Sequence, residues 1–273
     1  MIQAAREPDP APASPMELRL LGVRCHLMTI PVMHEVIKRA VERRERLVMV
    51  SQNLHSVYLV YRTPDMRELQ EAASYVRIDG LPLVWFARLL GYPAETRHRT
   101  GWNEWLDPFM TEASRMGWRV FYLGSEPAVA AKGAQELARR FPRLRFKVHH
   151  GHFDMRPGSE ENRAVVAEIR AFDPDVVIVG MGMPRQERWI LENSSSVGEK
   201  VFLTAGACLD IVAGAIPQPP RWIARSGFYW LYRLLVDPQR LWRRYLVEPW
   251  FAVGLFILDV WRKLKGGGHR VGQ

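Results

Sequence analysis

The sequence predicts an α/β fold, a mostly parallel sheet with helices on both faces, carrying a basic amphipathic helical appendage at its C-terminal end. Three observations predict it. Short apolar, β-branched runs alternate with stretches of helical period. Most of these runs end on Gly, Ser, Asp or Thr, residues suited to tight strand-to-helix turns. The last fifth of the chain then changes character: Arg221 to Arg270 holds ten Lys and Arg against Asp237, Glu248 and Asp259, interleaved with Trp and Tyr.

In chain order, Met1 to Pro15 is rich in Ala and Pro and lacks the continuous apolar core of a signal peptide, so residues 1–16 read as a disordered leader. Leu18 to Val23 suits an early strand or hairpin near the sheet edge. Leu47–Val50 runs into Ser51-Gln52-Asn53, Val76–Ile78 into Asp79-Gly80, and Val120–Leu123 into Gly124-Ser125. Val176–Val179 runs into Gly180-Met181-Gly182, and Val201–Leu203 into Thr204-Ala205-Gly206. Ala128–Arg140 and Glu160–Ala171 are amphipathic with helical period. The division is an α/β domain over residues 17–219, a helical appendage over 220–265 and a flexible tail over 266–273.

Composition narrows the classes. The 273 residues are 48% apolar and 25% charged, a globular balance, with a net charge of +9. Cys25 and Cys208 lie far apart and fit a reducing compartment rather than a disulfide framework. No segment reaches the ~20 apolar residues of a spanning helix. The nearest, Trp250 to Leu258, is bounded by Glu248-Pro249 and Asp259. It suits a helix lying in the plane of a membrane, or one packed on the protein's own core. Arginine mixed with Trp and Tyr suits phosphates at the edge of an anionic bilayer. Zinc-finger, RNP-type and helix-turn-helix signatures are absent, which argues against nucleic acid as a partner.

Ligands of such sheets sit beyond the carboxyl ends of the strands. That places Ser51, Asn53, Asp79, Gly124, Ser125, Gly180, Gly182, Gln186, Thr204 and Gly206 at the candidate rim. Asp79-Gly80 is either a turn or a carboxylate available as a general base, with no acidic neighbour in sequence to compete. In Gly180-Met181-Gly182-Met183-Pro184-Arg185-Gln186-Glu187 the glycines admit a ligand to the backbone, and Pro184 suits the first turn of a helix whose N–H groups face an anion. The third glycine and the ribose-binding acid of a dinucleotide site are missing, which argues against NAD. Gly124-Ser125-Glu126-Pro127 reads as a serine-capped helix start or a phosphate cradle. Asp173-Pro174-Asp175 precedes its strand and reads as a turn at the wrong end of the sheet. His149-His150-Gly151-His152-Phe153-Asp154 matches no zinc spacing, so no metal or cofactor is assigned.

Taken in order, Ser51-Gln52-Asn53, Asp79-Gly80, Gly101, Val120–Gly124, Gly180–Glu187, Trp230-Leu231-Tyr232-Arg233-Leu234-Leu235 and Asp237–Tyr245 resemble the WecG/TagA/CpsF family of bacterial glycosyltransferases. The resemblance covers roughly Leu18 to Leu258. It implies a Rossmann-like, metal-independent, inverting transferase. Such enzymes move a sugar from a UDP-sugar to a sugar on a polyprenyl diphosphate, peripherally at the cytoplasmic membrane face, in cell-surface or exopolysaccharide assembly. The family's catalytic carboxylate maps onto Asp79, its Thr/Asn site wall onto Ser51 and Asn53, and its pocket glutamine onto Gln186. Its C-terminal, diphosphate-closing arginines map onto Arg233, Arg240 and Arg243, whose spacings of seven and three would put them near one face of a helix. One block departs: His98 stands where the family has arginine, so Arg97 or Arg99 takes that role, and Asn103 replaces an aspartate. The alternative class is a non-catalytic, nucleotide-binding regulatory protein of the membrane surface, which has no use for Asp79.

Overall fold

The computed structural model describes residues 15–218 and 229–265. Its centre is one eight-stranded sheet in the order β1-β2-β4-β3-β8-β7-β5-β6. The strands are β1 (Met16–Leu20), β2 (Val23–Leu27), β3 (Leu47–Gln52), β4 (Tyr75–Ile78), β5 (Arg119–Gly124), β6 (Arg145–His149), β7 (Val176–Gly180) and β8 (Val201–Thr204). The early segment is an antiparallel hairpin, β1 on β2, at the sheet edge; every other pairing is parallel. The central strands β5, β7 and β8 are buried almost throughout, as both-face coverage requires.

Three apolar clusters hold the layers together. On one face α1 (Ile30–Arg43), α5 (Trp102–Met116), α6 (Pro127–Arg140) and α9 (Cys208–Val212) pack around Trp105, Phe109 and Tyr122. On the other, α3 (Pro64–Ala72), α7 (Glu160–Phe172) and α8 (Arg185–Val197) pack around Trp189, Phe121 and Phe202. The third cluster covers the hairpin edge with α2 (Leu54–Arg62) and α4 (Leu81–Leu89). Asp173-Pro174-Asp175 is a turn at the amino edge, as expected: Asp173 ends α7 in the left-handed region, and Asp175 Oδ2 accepts from Arg119 N at 2.7 Å.

The C-terminal segment forms α10 (Tyr229–Val236), α11 (Pro238–Trp242), a π-helical turn over Arg243–Val247 and α12 (Glu248–Lys265). Of the two readings of Trp250–Leu258, packing on the protein's own core describes the inner face of α12. Ala252 is fully buried in the hairpin-edge cluster. Phe251 meets Tyr58 and Tyr61 edge-on at 5.5 and 5.3 Å, and Phe256 stacks on Phe86 at 4.6 Å. The outer face is bare: Trp250 is 74% exposed and Leu264 78%, with Ile257 and Trp261 between them. Beside it, α4 leaves Trp85 and Leu89 exposed. No helix among the described residues is long and apolar enough to cross a membrane.

The path of α12 fixes where the segment before it lies. Its first residue, Glu248, places Oε2 2.6 Å from Nδ1 of His55, at the carboxyl edge of the sheet where α2 begins. Eleven residues on, Asp259 Oδ2 accepts from Leu21 N at 2.6 Å, in the hairpin turn at the amino edge. Lys263 then donates to the Leu90 carbonyl. The segment over residues 229–247 therefore runs into α12 from the carboxyl-edge side of the sheet. Arg221 and Arg225, part of the basic tail, fall outside the described residues, as do the leader through position 14 and the tail over 266–273.

Candidate active site

The carboxyl ends of β4, β3 and β8 form a continuous rim, and local chemistry stitches it. Asp79 N donates to Gln52 O at 2.8 Å, which brings β4's exit beside β3's. Asn53 caps α2, its side chain accepting from Ser56 N at 3.1 Å while Ser56 Oγ closes a reciprocal capping box. Ser51 is buried, with its N–H on the Thr204 hydroxyl at 3.0 Å. Thr204 O takes the Trp102 indole N–H at 2.8 Å, joining β8 to the start of α5. Gly80 lies against Asn53, where an added Cβ would be 3.2 Å from the asparagine Cβ.

Asp79 is half-buried on this rim. Its Oδ1 lies 2.6 Å from where a Cβ on Gly101 would sit, and Glu104 Oε2 lies 3.1 Å from the same point. The sequence offers Asp79 no acidic neighbour; the fold supplies one from α5. Glu104 also engages Arg99, forming an ion pair at the edge of the site. Burial pushes the Glu104 carboxyl up from its ordinary range, Arg99 opposes that, and Asp79 adds to it. Arg97 points elsewhere: it is exposed and bound to Glu95 at 2.9 Å. Of the two arginines that flank His98, Arg99 is the one brought to Asp79's neighbourhood. His98 itself caps its own 3-10 turn, Nδ1 accepting from Glu95 N at 2.9 Å.

The second half of the rim is made by β5 and β7. Gly124 and Gly180 are register partners, and a Cβ on Gly124 would lie 2.2 Å from the Gly180 carbonyl oxygen. A Cβ on Gly180 would lie 1.9 Å from the Tyr122 hydroxyl, so close protein packing is what demands glycine at these two positions. Gly182 differs: its φ is +76° and the space around it is open. Gln186 is fully buried; its Oε1 accepts from Gly206 N at 2.9 Å and its Nε2 donates to Glu187 at 2.7 Å. It thereby holds the turn after β8 against α8. Pro184 is the N-cap of α8, one position before the expected first turn.

Two expectations are corrected. Ser125 is not a helix cap: it sits at φ +65°, its hydroxyl donates to Asp210 Oδ2 at 3.0 Å, and Glu126 occupies the N-cap of α6. Arg233, Arg240 and Arg243 do not share one helical face, because Asp237-Pro238 stops α10 and starts α11. Arg233 is buried to 9% exposure, with no partner for its Nε among the described residues. Arg240 is exposed and paired with Asp237 at 2.6 Å, and Arg243 lies over the Trp242 ring at 5.2 Å. The histidine run ends β6 and engages local partners, including His152 with Glu126 at 3.0 Å. No cluster of three or more His, Cys, Asp or Glu suited to a metal occurs among the described residues.

Comparison with known proteins gives a consistent picture. Residues 18–266 match the glycosyl transferase WecG/TagA/CpsF family. An N-acetylglucosaminyldiphosphoundecaprenol N-acetyl-beta-D-mannosaminyltransferase of Staphylococcus aureus strain MRSA252 is 32% identical over 226 residues, spanning 82% of this chain and 86% of the relative. The protein of the same name from strain NCTC 8325 is 31% identical over the same shares.

Proposed function

The chain belongs to the WecG/TagA/CpsF family of glycosyltransferases, and from that premise we propose that it transfers a sugar from a UDP-sugar, with inversion, to N-acetylglucosamine carried on a polyprenyl diphosphate at the cytoplasmic membrane face. Such a step belongs to cell-surface or exopolysaccharide assembly. Asp79 carries the reading: a half-buried carboxylate at the strand-end rim, flanked by Asn53, Gly101 and the Arg99–Glu104 pair. It takes the proton from the acceptor hydroxyl as that oxygen attacks the anomeric carbon from the face opposite UDP. The new C–O bond forms as the bond to UDP breaks, and the electron pair leaves on the diphosphate. Arg233, Arg240, Arg243 and Arg99 meet the charge developing there, a task for which the planar guanidinium fork is suited. Ser51, Asn53 and Gln186 shape the wall, and the open, positive-φ Gly182 lets a ligand approach the backbone.

The acceptor's isoprenoid keeps it in the bilayer, so the rim must be brought to the membrane. Support for that comes from the bare outer row of α12, the exposed Trp85 and Leu89 beside it, and the exposed Arg262 and Lys265 at its end. A chain ending at Pro219 is expected to lose vesicle binding and lipid-acceptor activity together; full activity on the lipid acceptor would contradict the role given to the arm.

The decisive measurement is UDP release from a panel of UDP-sugars with a short-chain polyprenyl diphosphate N-acetylglucosamine acceptor. Asp79→Asn is expected to slow transfer ~10²–10⁴-fold with UDP affinity nearly intact. Undiminished turnover in that variant removes Asp79 from the mechanism, and the absence of acceptor-dependent release in the parent protein would favour the nucleotide-binding regulatory reading.

A further inference from the structure

Gly182 and Gly206 differ from the other glycines of the rim. Each has a positive φ, +76° and +55°, and a Cβ on either would meet nothing within 4 Å. They follow the neighbouring strands β7 and β8, where open space lets a ligand lie against bare backbone. Gly124 and Gly180, by contrast, are glycine because the protein packs on them.

One residue reaches both open turns. Gln186 N donates to Gly182 O at 3.0 Å, and Gln186 Oε1 accepts from Gly206 N at 2.9 Å. Gln186 has no exposed surface, so it acts on a ligand through these turns rather than by touching it. The Gly206 N–H can only donate, so the amide must turn its oxygen toward it and its NH2 away. On that other side stands Glu187, with Oε1 2.7 Å from Gln186 Nε2. Glu187 is 3% exposed, and its Oε2 has no partner among the described residues. Burying an acid with one oxygen orphaned costs stability, so its presence asks for another reason.

We propose that Glu187 is a positioning residue for donor binding: it fixes the direction of the Gln186 amide, and that amide sets the spacing of the two open glycine turns against which the UDP-sugar lies. The inference rests on the chain using a UDP-sugar. What the amide requires from position 187 is an acceptor oxygen, not a charge. Without one, the Gln186 NH2 is left unpaired in the core. Turning the amide over to relieve it would set the NH2 against the Gly206 N–H, donor against donor.

The test compares Glu187→Met, which keeps apolar bulk and removes the acceptor, with Glu187→Gln, which keeps an acceptor oxygen, with Gln186→Met, and with the double methionine variant. UDP affinity by calorimetry, donor KM and kcat for UDP release, and hydrogen exchange at Gly206 are measured on each, and a thermal melt checks folding. In Glu187→Met, donor KM is expected to rise and UDP affinity to fall about tenfold, the scale of one lost hydrogen bond. Gly206 exchanges faster in that variant, while kcat at saturating donor changes little. Glu187→Gln is expected to restore donor KM and UDP affinity. The double variant is expected to be no worse than Gln186→Met alone, because Glu187 acts only through the amide. Additive effects, a glutamine variant as impaired as the methionine one, or faster Gly206 exchange with donor KM unmoved each overturn the proposal. If Glu187→Met does not fold, Gln186→Met decides, and a parental donor KM in it is the contrary result. A parent protein that binds no UDP removes the functional reading and the proposal with it; UDP binding in the parent with unmoved variants removes the proposal alone.

Discussion

Gly101→Ala isolates the position of one carboxylate from the stability of the fold. Gly101 has φ −65° and ψ 153°, a conformation open to any residue. The backbone therefore accepts alanine, and the loss of unfolded-state freedom favours the variant by about 0.4–1 kcal/mol. The new methyl group meets Asp79 Oδ1 at 2.6 Å, whereas ordinary contact begins at 3.4 Å, so the carboxylate must retreat by about 0.8 Å. Glu104 Oε2, at 3.1 Å, closes part of the space into which it could turn. A displacement near 1 Å of a reacting group costs on the order of 10²-fold in rate, or roughly 2.7 kcal/mol of transition-state stabilisation. UDP release and a thermal melt on the same preparation measure both halves. The expected result is a melting temperature equal to or above the parent's and a kcat lowered about a hundredfold, with UDP affinity retained. Parental turnover in the folded variant would refute the claim that chemistry depends on the carboxylate beside Gly101.

Glu187 gives a prediction for stability rather than rate. Burial raises its carboxyl from the ordinary 4.5 to about 7. Between those values the unfolded chain has released the proton and the folded chain has not, so stability falls as pH rises through that window and the loss is complete above it. Glu187→Gln is expected to change stability little at pH 5 and to raise it at pH 8 on the order of 3 kcal/mol; denaturant titrations that show equal increments at both pH values would contradict this. The anchor of the C-terminal segment is testable through His55 and Glu248, 2.6 Å apart and partly buried. Glu248→Ala is expected to cost about 1–3 kcal/mol and to speed amide exchange over residues 229–247 more than in the sheet; unchanged exchange there would mean that the pair does not hold the segment.

The alternation of β-branched runs with helical periods is a local property, and it was enough to place β3, β4, β5, β7 and β8, the edge hairpin and the helices α6 and α7. It also put Asp79 and Asn53 at the rim, because residues that leave a parallel strand share one edge whatever the order of strands. β6 has no such signal: Arg145–His149 is charged and only partly buried, so it carries no apolar run. What the sequence could not decide was which distant side chains meet. Glu104 reaches the point beside Gly101 that Asp79 also approaches only because α5 lands on the strand-end face, and nothing within a few residues of Asp79 encodes that. Arg97 and Arg99 are equivalent in sequence and differ only by the direction each leaves the 3-10 turn. Arg233, Arg240 and Arg243 keep a helical spacing that the Asp237-Pro238 break cancels. Apolar periodicity told that α12 has a face to bury; the choice of α2, α4 and the hairpin turn as its partners came from long-range packing, which no local pattern contains.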